Sequence, residues 1–202
     1  MMPRVPCAWP GETAVILATG PSLTPADVAY CQDRARVIAI KDSIQLAPFA
    51  DVLYACDGKW WRHYGDGLRD YRGPRFALDA DAGRWATVLR NTGEQGLETD
   101  PTGLRTGRNS GYQAINLAVH LGFRRLVLLG YDNQPGPQEQ RNWFGPRPSS
   151  YWLALPAWHE SIARGWPSMV APLQALGVTV INATRATALA CFPRLSLEEA
   201  LA

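Results

Sequence analysis

The run Thr13-Ala-Val-Ile-Leu-Ala-Thr-Gly-Pro-Ser-Leu-Thr-Pro-Ala-Asp27 decides the fold class. Ala14 to Ala18 is apolar without a break and of strand length, the pattern of a strand buried on both faces. Thr19-Gly20-Pro21-Ser22 ends it. Thr24 then reads as a helix cap, Pro25 takes the first helical turn, and Asp27 stands three residues after the cap. A doubly buried strand that feeds a helix through a glycine turn is how a βαβ unit opens.

The same alternation continues outward from that run. Arg36–Asp42 and Asp51–Asp57 read as further buried strands, each ending in an aspartate. Gly58–Tyr64 reads as a short helix rich in tryptophan, Arg75–Asp79 as a shorter strand, and Trp85–Leu89 as one more. Residues 91–108 are glycine-rich and polar without a period, and read as loop. Asn109-Ser110-Gly111 opens a helix that runs to His120 and is stopped by Gly122. Arg125-Leu-Val-Leu-Leu-Gly-Tyr-Asp132 is the strongest strand pattern in the chain. Residues 133–150 hold four prolines and two glycines and read as a long loop. A helical stretch from about Ala154 to Leu176, divided at Pro167, precedes a last strand, Gly177–Thr184. Ser196-Leu-Glu-Glu199 is a capping box for a closing helix. The expectation is one α/β, Rossmann-like domain over residues 1–202. It carries a mostly parallel sheet, and residues 133–168 form a lid rich in proline and tryptophan.

Composition limits the rest. A 202-residue chain that is 47% hydrophobic and 19% charged carries one sizeable core. A net charge of +2 is too small for a general nucleic-acid binder, although arginines gather at Arg105, Arg108, Arg124, Arg125, Arg141 and Arg147. Cys7, Cys31, Cys56 and Cys191 are widely spaced without a CxxC pair, which reads as buried free thiols rather than a zinc site or disulfide framework. No signal-peptide pattern and no apolar run of membrane-spanning length is found, so a cytoplasmic location is expected. The eight tryptophans include Trp60, Trp61, Trp143, Trp152, Trp158 and Trp166 outside the strands. They can pack a lid or offer faces on which a base or sugar stacks.

In parallel α/β sheets ligands bind beyond the carboxyl ends of the strands. That rule puts Gly20, Asp42, Asp57, Asp132 and Asn182 on one rim. Thr19-Gly20-Pro21-Ser22 points backbone N–H groups at the positive end of a helix, where a phosphate is stabilised without a cationic side chain. Asn109-Ser110-Gly111 repeats the arrangement, and reads either as a second anion contact or as simple capping. Asp42, Asp57 and Asp132 can accept hydrogen bonds from ribose hydroxyls, hold a metal, or cap the next turn. His159, beside Glu160 and between Trp158 and Trp166, is the candidate general base, with His63 second. His120, in the last turn of its helix, reads as a structural cation on the helix dipole. The chain has no GxSxG elbow, HExxH, EF-hand loop or CxxC, so nothing supports a serine hydrolase, zinc peptidase or redox reading.

The opening Ala14-Val-Ile-Leu-Ala-Thr-Gly-Pro-Ser-Leu23 resembles the strand and Asn-Gly-Pro-Ser-Leu block of the bacterial sialyltransferases of glycosyltransferase family 42. It is similar also to DUF115 and hydroxymethylpterin diphosphokinase-like proteins. Asn109-Ser-Gly111 followed by Leu126-Val-Leu-Leu-Gly-Tyr-Asp132 resembles their Ser-Gly, helix, strand, Gly-x-Asp block. Small bacteriophage proteins share the layout, with an ending like Asn182-Ala-Thr to Cys191-Phe-Pro193. Thr19 stands where the sialyltransferases have asparagine. The resemblance implies that Gly20, Pro21 and Ser22 face a phosphate or ribose, that Ser110, Gly111 and Asp132 contact the nucleoside side, and that His159 is the base.

Three functions follow as expectations. The first is a glycosyltransferase that uses a nucleotide sugar as donor substrate, needs no metal, and transfers the sugar to an acceptor hydroxyl. The second is a diphosphokinase-like phosphotransferase that needs Mg²⁺, with Asp42, Asp57 or Asp132 as ligands. The third is a non-catalytic accessory protein, phage-encoded, that binds a nucleotide or nucleic acid.

Overall fold

The computed structural model describes residues 3–145 and 165–202. Seven strands form one sheet: β1 (Thr13–Leu17), β2 (Arg36–Ile40), β3 (Val52–Tyr54), β4 (Arg75–Ala77), β5 (Thr87–Val88), β8 (Arg125–Leu129) and β9 (Thr179–Asn182). Every neighbouring pair is parallel, in the order β5-β4-β3-β2-β1-β8-β9. The chain thus moves outward from β1 to β5, then returns and lays β8 on the other side of β1. Each expected strand is present. The stretch 91–108 is not wholly loop: β6 (Arg90–Asn91) and β7 (Gly103–Leu104) pair in a separate two-stranded sheet. Two-residue pairings are too short to carry a period.

Alternation across the pleat divides the core in two. Ala14, Ile16, Ile38, Ile40, Leu126 and Leu128 face α3 (Ser110–His120) and a short helix, α4 (Val170–Ala175). Val15, Leu17, Val37, Ala39, Val127 and Leu129 face α1 (Pro25–Cys31), α2 (Gly58–Tyr64) and α5 (Leu197–Ala200). This is a Rossmann-like α/β fold with helices on both faces of a parallel sheet. No helix among the described residues is long and apolar enough to cross a membrane.

Both expected capping boxes form. The Asp27 amide donates to Thr24 Oγ1 and the Thr24 amide to the Asp27 carboxylate, each at 3.2 Å, with Pro25 in the first turn. The Ser196 and Glu199 side chains do the same for α5. Asp27 is also gripped by Arg185, through Nη2 to Oδ1 at 2.6 Å and Nε to Oδ2 at 3.0 Å. Burial pushes the Asp27 carboxyl up, but Arg185 and Thr24 together outweigh it and hold it below its ordinary value.

Two side chains differ from expectation. His120 is structural, as expected, but not as a helix-end cation: burial pulls its pKa below the usual 6.5, and its Nε2 lies 3.0 Å from the Gly103 carbonyl. A neutral ring donating to that carbonyl ties α3 to β7. Cys7 is exposed, whereas Cys31 is buried and burial raises its thiol to about 12.

Leu128 has no exposed surface and sits on the longest pairing edge of the sheet, that of β1 with β8. Leu128→Ala is expected to lower the free energy of unfolding by about 2–5 kcal/mol, read from a denaturant titration.

Candidate functional site

The strand order reverses between β1 and β8, and the exits of these two strands stand side by side. Such a switch point is where open α/β sheets leave a crevice. Gly130 turns the chain out of β8 at φ +70, and the Gly20 amide donates to its carbonyl at 2.9 Å. Asp132 then reaches across. Its Oδ2 accepts the Ser22 amide at 2.9 Å, and its side chain lies against the Gly20 backbone. A β-carbon on Gly20 would sit 1.9 Å from Asp132 Oδ1 and 2.4 Å from the Gly130 carbonyl oxygen.

These contacts change the expected role of the turn. Pro21 has no N–H, Gly20 is bonded to Gly130, Ser22 to Asp132, and the Leu23 amide to the Gly20 carbonyl at 3.2 Å. Of the amides anticipated as a phosphate cradle, that of Ser22 already holds a carboxylate of the chain's own, and those of Gly20 and Leu23 hold backbone carbonyls. Gly20 is glycine because Asp132 and Gly130 pack onto it. Asp132, expected to face a nucleoside, is 2% exposed. Burial raises its pKa above 3.8, and Ser22 pulls it back only in part. Its Oδ1 and the Ser22 hydroxyl are both buried without a hydrogen-bond partner.

The three rim acids therefore part company. Asp42 is 1% exposed and accepts the Trp60 indole N–H at 3.1 Å, so α2 takes it out of reach. Asp57 stays accessible at 36% and forms an ion pair with Lys41, Nζ to Oδ2 2.5 Å. Among the described residues no three His, Cys, Asp or Glu side chains converge. A further acidic pair that is not among the sequence candidates, Asp79 and Asp81, follows β4. Asp79 caps the Gly58 and Asp81 amides, and Asp81 pairs with Arg62. Asn182 is a brace: it bonds the Leu189 carbonyl, the Thr187 hydroxyl and the Thr184 amide.

The start of α3 stands over the same edge. Asn109 caps it, accepting from the Gly111 amide at 2.6 Å and more distantly from Tyr112. Capping is thus what Asn109 does. Ser110 is half-buried beside it, and the Gly111 carbonyl accepts the Tyr131 hydroxyl at 3.0 Å. Gln113, one turn on, accepts the Tyr54 hydroxyl at the end of β3 at 2.8 Å. The described part of the lid begins here as well: Thr19 Oγ1 meets Asn142 Oδ1 at 3.1 Å, and the Trp143 amide donates to the Thr19 carbonyl. Burial pushes the Cys56 thiol up to about 11, with Asp57 adding to it, so it is no thiolate. His159, with Trp152 and Trp158, lies outside the described residues.

One rim residue escaped the sequence reading. Lys41 holds a left-handed backbone, φ +52, at the end of β2. Arg108 (φ +54), before the α3 cap, and Asn133 (φ +51), after Asp132, do likewise. Three of the five described non-glycine residues with positive φ thus lie on this edge, and backbone strain gathers at functional sites. The only sequence signal for Lys41 was a cation closing an apolar strand.

Comparison of the chain with protein-family models, with curated proteins and with solved structures gives no match.

Two outcomes follow from the clasp. Gly20→Ala is expected to destabilise the fold by about 1–3 kcal/mol or more in a denaturant titration, because one of the clashing atoms is backbone. The raised Asp132 pKa means that its ionised form is penalised in the fold. The stability tied to its proton is complete below 3.8 and lost as pH rises through the folded value. Wild type should therefore gain stability relative to Asp132→Asn as pH falls from 7 into the carboxylate range, measured as the difference between the two unfolding curves.

Proposed function

We propose that this chain binds a nucleotide at the carboxyl edge of β1, β2 and β8 and acts as a nucleotide-sugar-dependent glycosyltransferase on an acceptor hydroxyl. The observation that carries the binding reading is the reversal of strand order between β1 and β8. The Thr19–Ser22 exit, the Lys41–Asp57 pair, the start of α3 and the beginning of the lid all lie at that carboxyl edge. The transfer chemistry rests on the resemblance to family 42 sialyltransferases, with His159 as the base that deprotonates the acceptor.

The buried Asp132 and Asp42 reshape the reading. Their carboxylates order the edge from beneath, and the groups left to meet a ligand are Lys41, Asp57, Ser110, and Trp143 with its neighbour Phe144. Asp57 is suited to accept ribose hydroxyls, and an aromatic face to stack a base.

The test is a thermal-shift screen against nucleoside mono- and diphosphates and their sugar conjugates, with and without Mg²⁺. A bound nucleotide at about a hundred times its dissociation constant should stabilise the protein by about 2.7 kcal/mol. His159→Ala should keep that shift and lose donor turnover. Absence of any nucleotide shift would refute the binding reading. A shift that appears only with Mg²⁺ would favour phosphoryl transfer instead.

A further inference from the structure

We infer that the Lys41 ammonium, held by Asp57, is the group on this edge that meets the phosphate of the nucleotide; the inference rests on the binding reading above. An anion at the switch point needs a positive partner, and the turn after β1 carries no cationic side chain. Its Gly20, Ser22 and Leu23 amides are bonded to Gly130, Asp132 and Gly20.

Lys41 stands where that partner is needed. The pairing of Leu17 with Ala39 puts Lys41 abreast of Thr19, one strand over from the turn. Its side chain is only 15% exposed. Lysine is rarely so enclosed, because an ammonium taken out of water must be compensated. Asp57, on the next strand exit, supplies the compensation and fixes where the charge sits. A charge held in a partly dry site acts more strongly on a phosphate than one waving in solvent.

The backbone supports the same placement. At φ +52 the chain turns sharply from β2 into the 3-10 turn Lys41–Gln45. A residue with a β-carbon adopts this conformation at a cost, and glycine or asparagine would adopt it more readily. Lysine at this position therefore serves the side chain and not the turn. The described cations beyond β9 are committed elsewhere: Arg185 grips Asp27, and Arg194 donates to the Thr184 and Arg185 carbonyls.

Isothermal titration of wild type, Lys41→Gly and Lys41→Arg tests the assignment. The probes are CMP, UDP, GDP and ADP, each against its own nucleoside, at low and high salt. Glycine accepts the left-handed backbone, so Lys41→Gly should still fold, with some loss of melting temperature because Asp57 is left without Lys41; its circular dichroism spectrum checks this. Its affinity for the nucleotide should fall about tenfold or more, that for the nucleoside by no more than about twofold, and Lys41→Arg should retain most of the binding. The salt dependence seen in wild type should shrink in Lys41→Gly. If Lys41→Gly binds the nucleotide as wild type does, or loses nucleotide and nucleoside equally, the inference is overturned and nucleotide binding stands. If wild type binds none of the four nucleotides, both fall.

Discussion

The carboxylate of Asp132 lies inside the turn that follows β1, and the rest of the edge is arranged around it. An ionised group so deeply buried is costly unless its hydrogen bonds are met. One oxygen takes the Ser22 amide while the other lies against the Gly20 backbone, so the cost is only partly offset. In return the exits of two strands that are far apart in sequence are locked together at the point where the sheet reverses. Gly20 and Gly130 are both glycine because the lock leaves no room for a side chain.

The lock divides the acids of the rim into those that build and those that face outward. Asp132 and Asp42 are drawn beneath the surface by the Ser22 amide and the Trp60 indole. Asp57 stays at the surface with Lys41. Tyr131 adds a second layer. Its hydroxyl binds the first turn of α3, while its amide and carbonyl bind Thr184 and Thr187. The edge is therefore ordered from both faces of the sheet at once.

The sheet was legible because strands buried on both faces leave unbroken apolar runs, as in Ala14–Ala18 and Leu126–Leu129. The two helix caps at Thr24 and Ser196 were legible because their partners lie three residues away. The clasp was not. Ser22 and Asp132 are 110 positions apart, and no local pattern links an amide to a distant carboxylate. Asp42 and Asp57 looked equivalent, each closing an apolar strand; what separates them is the reach of Trp60 from a helix whose packing no spacing reveals. The structural role of His120 was legible from its place near a helix end, but the Gly103 carbonyl it serves was not.

Residues 182–194 carry one more consequence. This segment leaves β9 and returns to it through the bridge of Asn182 with Arg194, and on the way bonds Tyr131, Asp132 and, through Arg185, the first helix. The supports of the turn after β1 thus lie far downstream of it in the chain. During synthesis β1 is made long before its exit can be braced, so the edge comes into being as a unit.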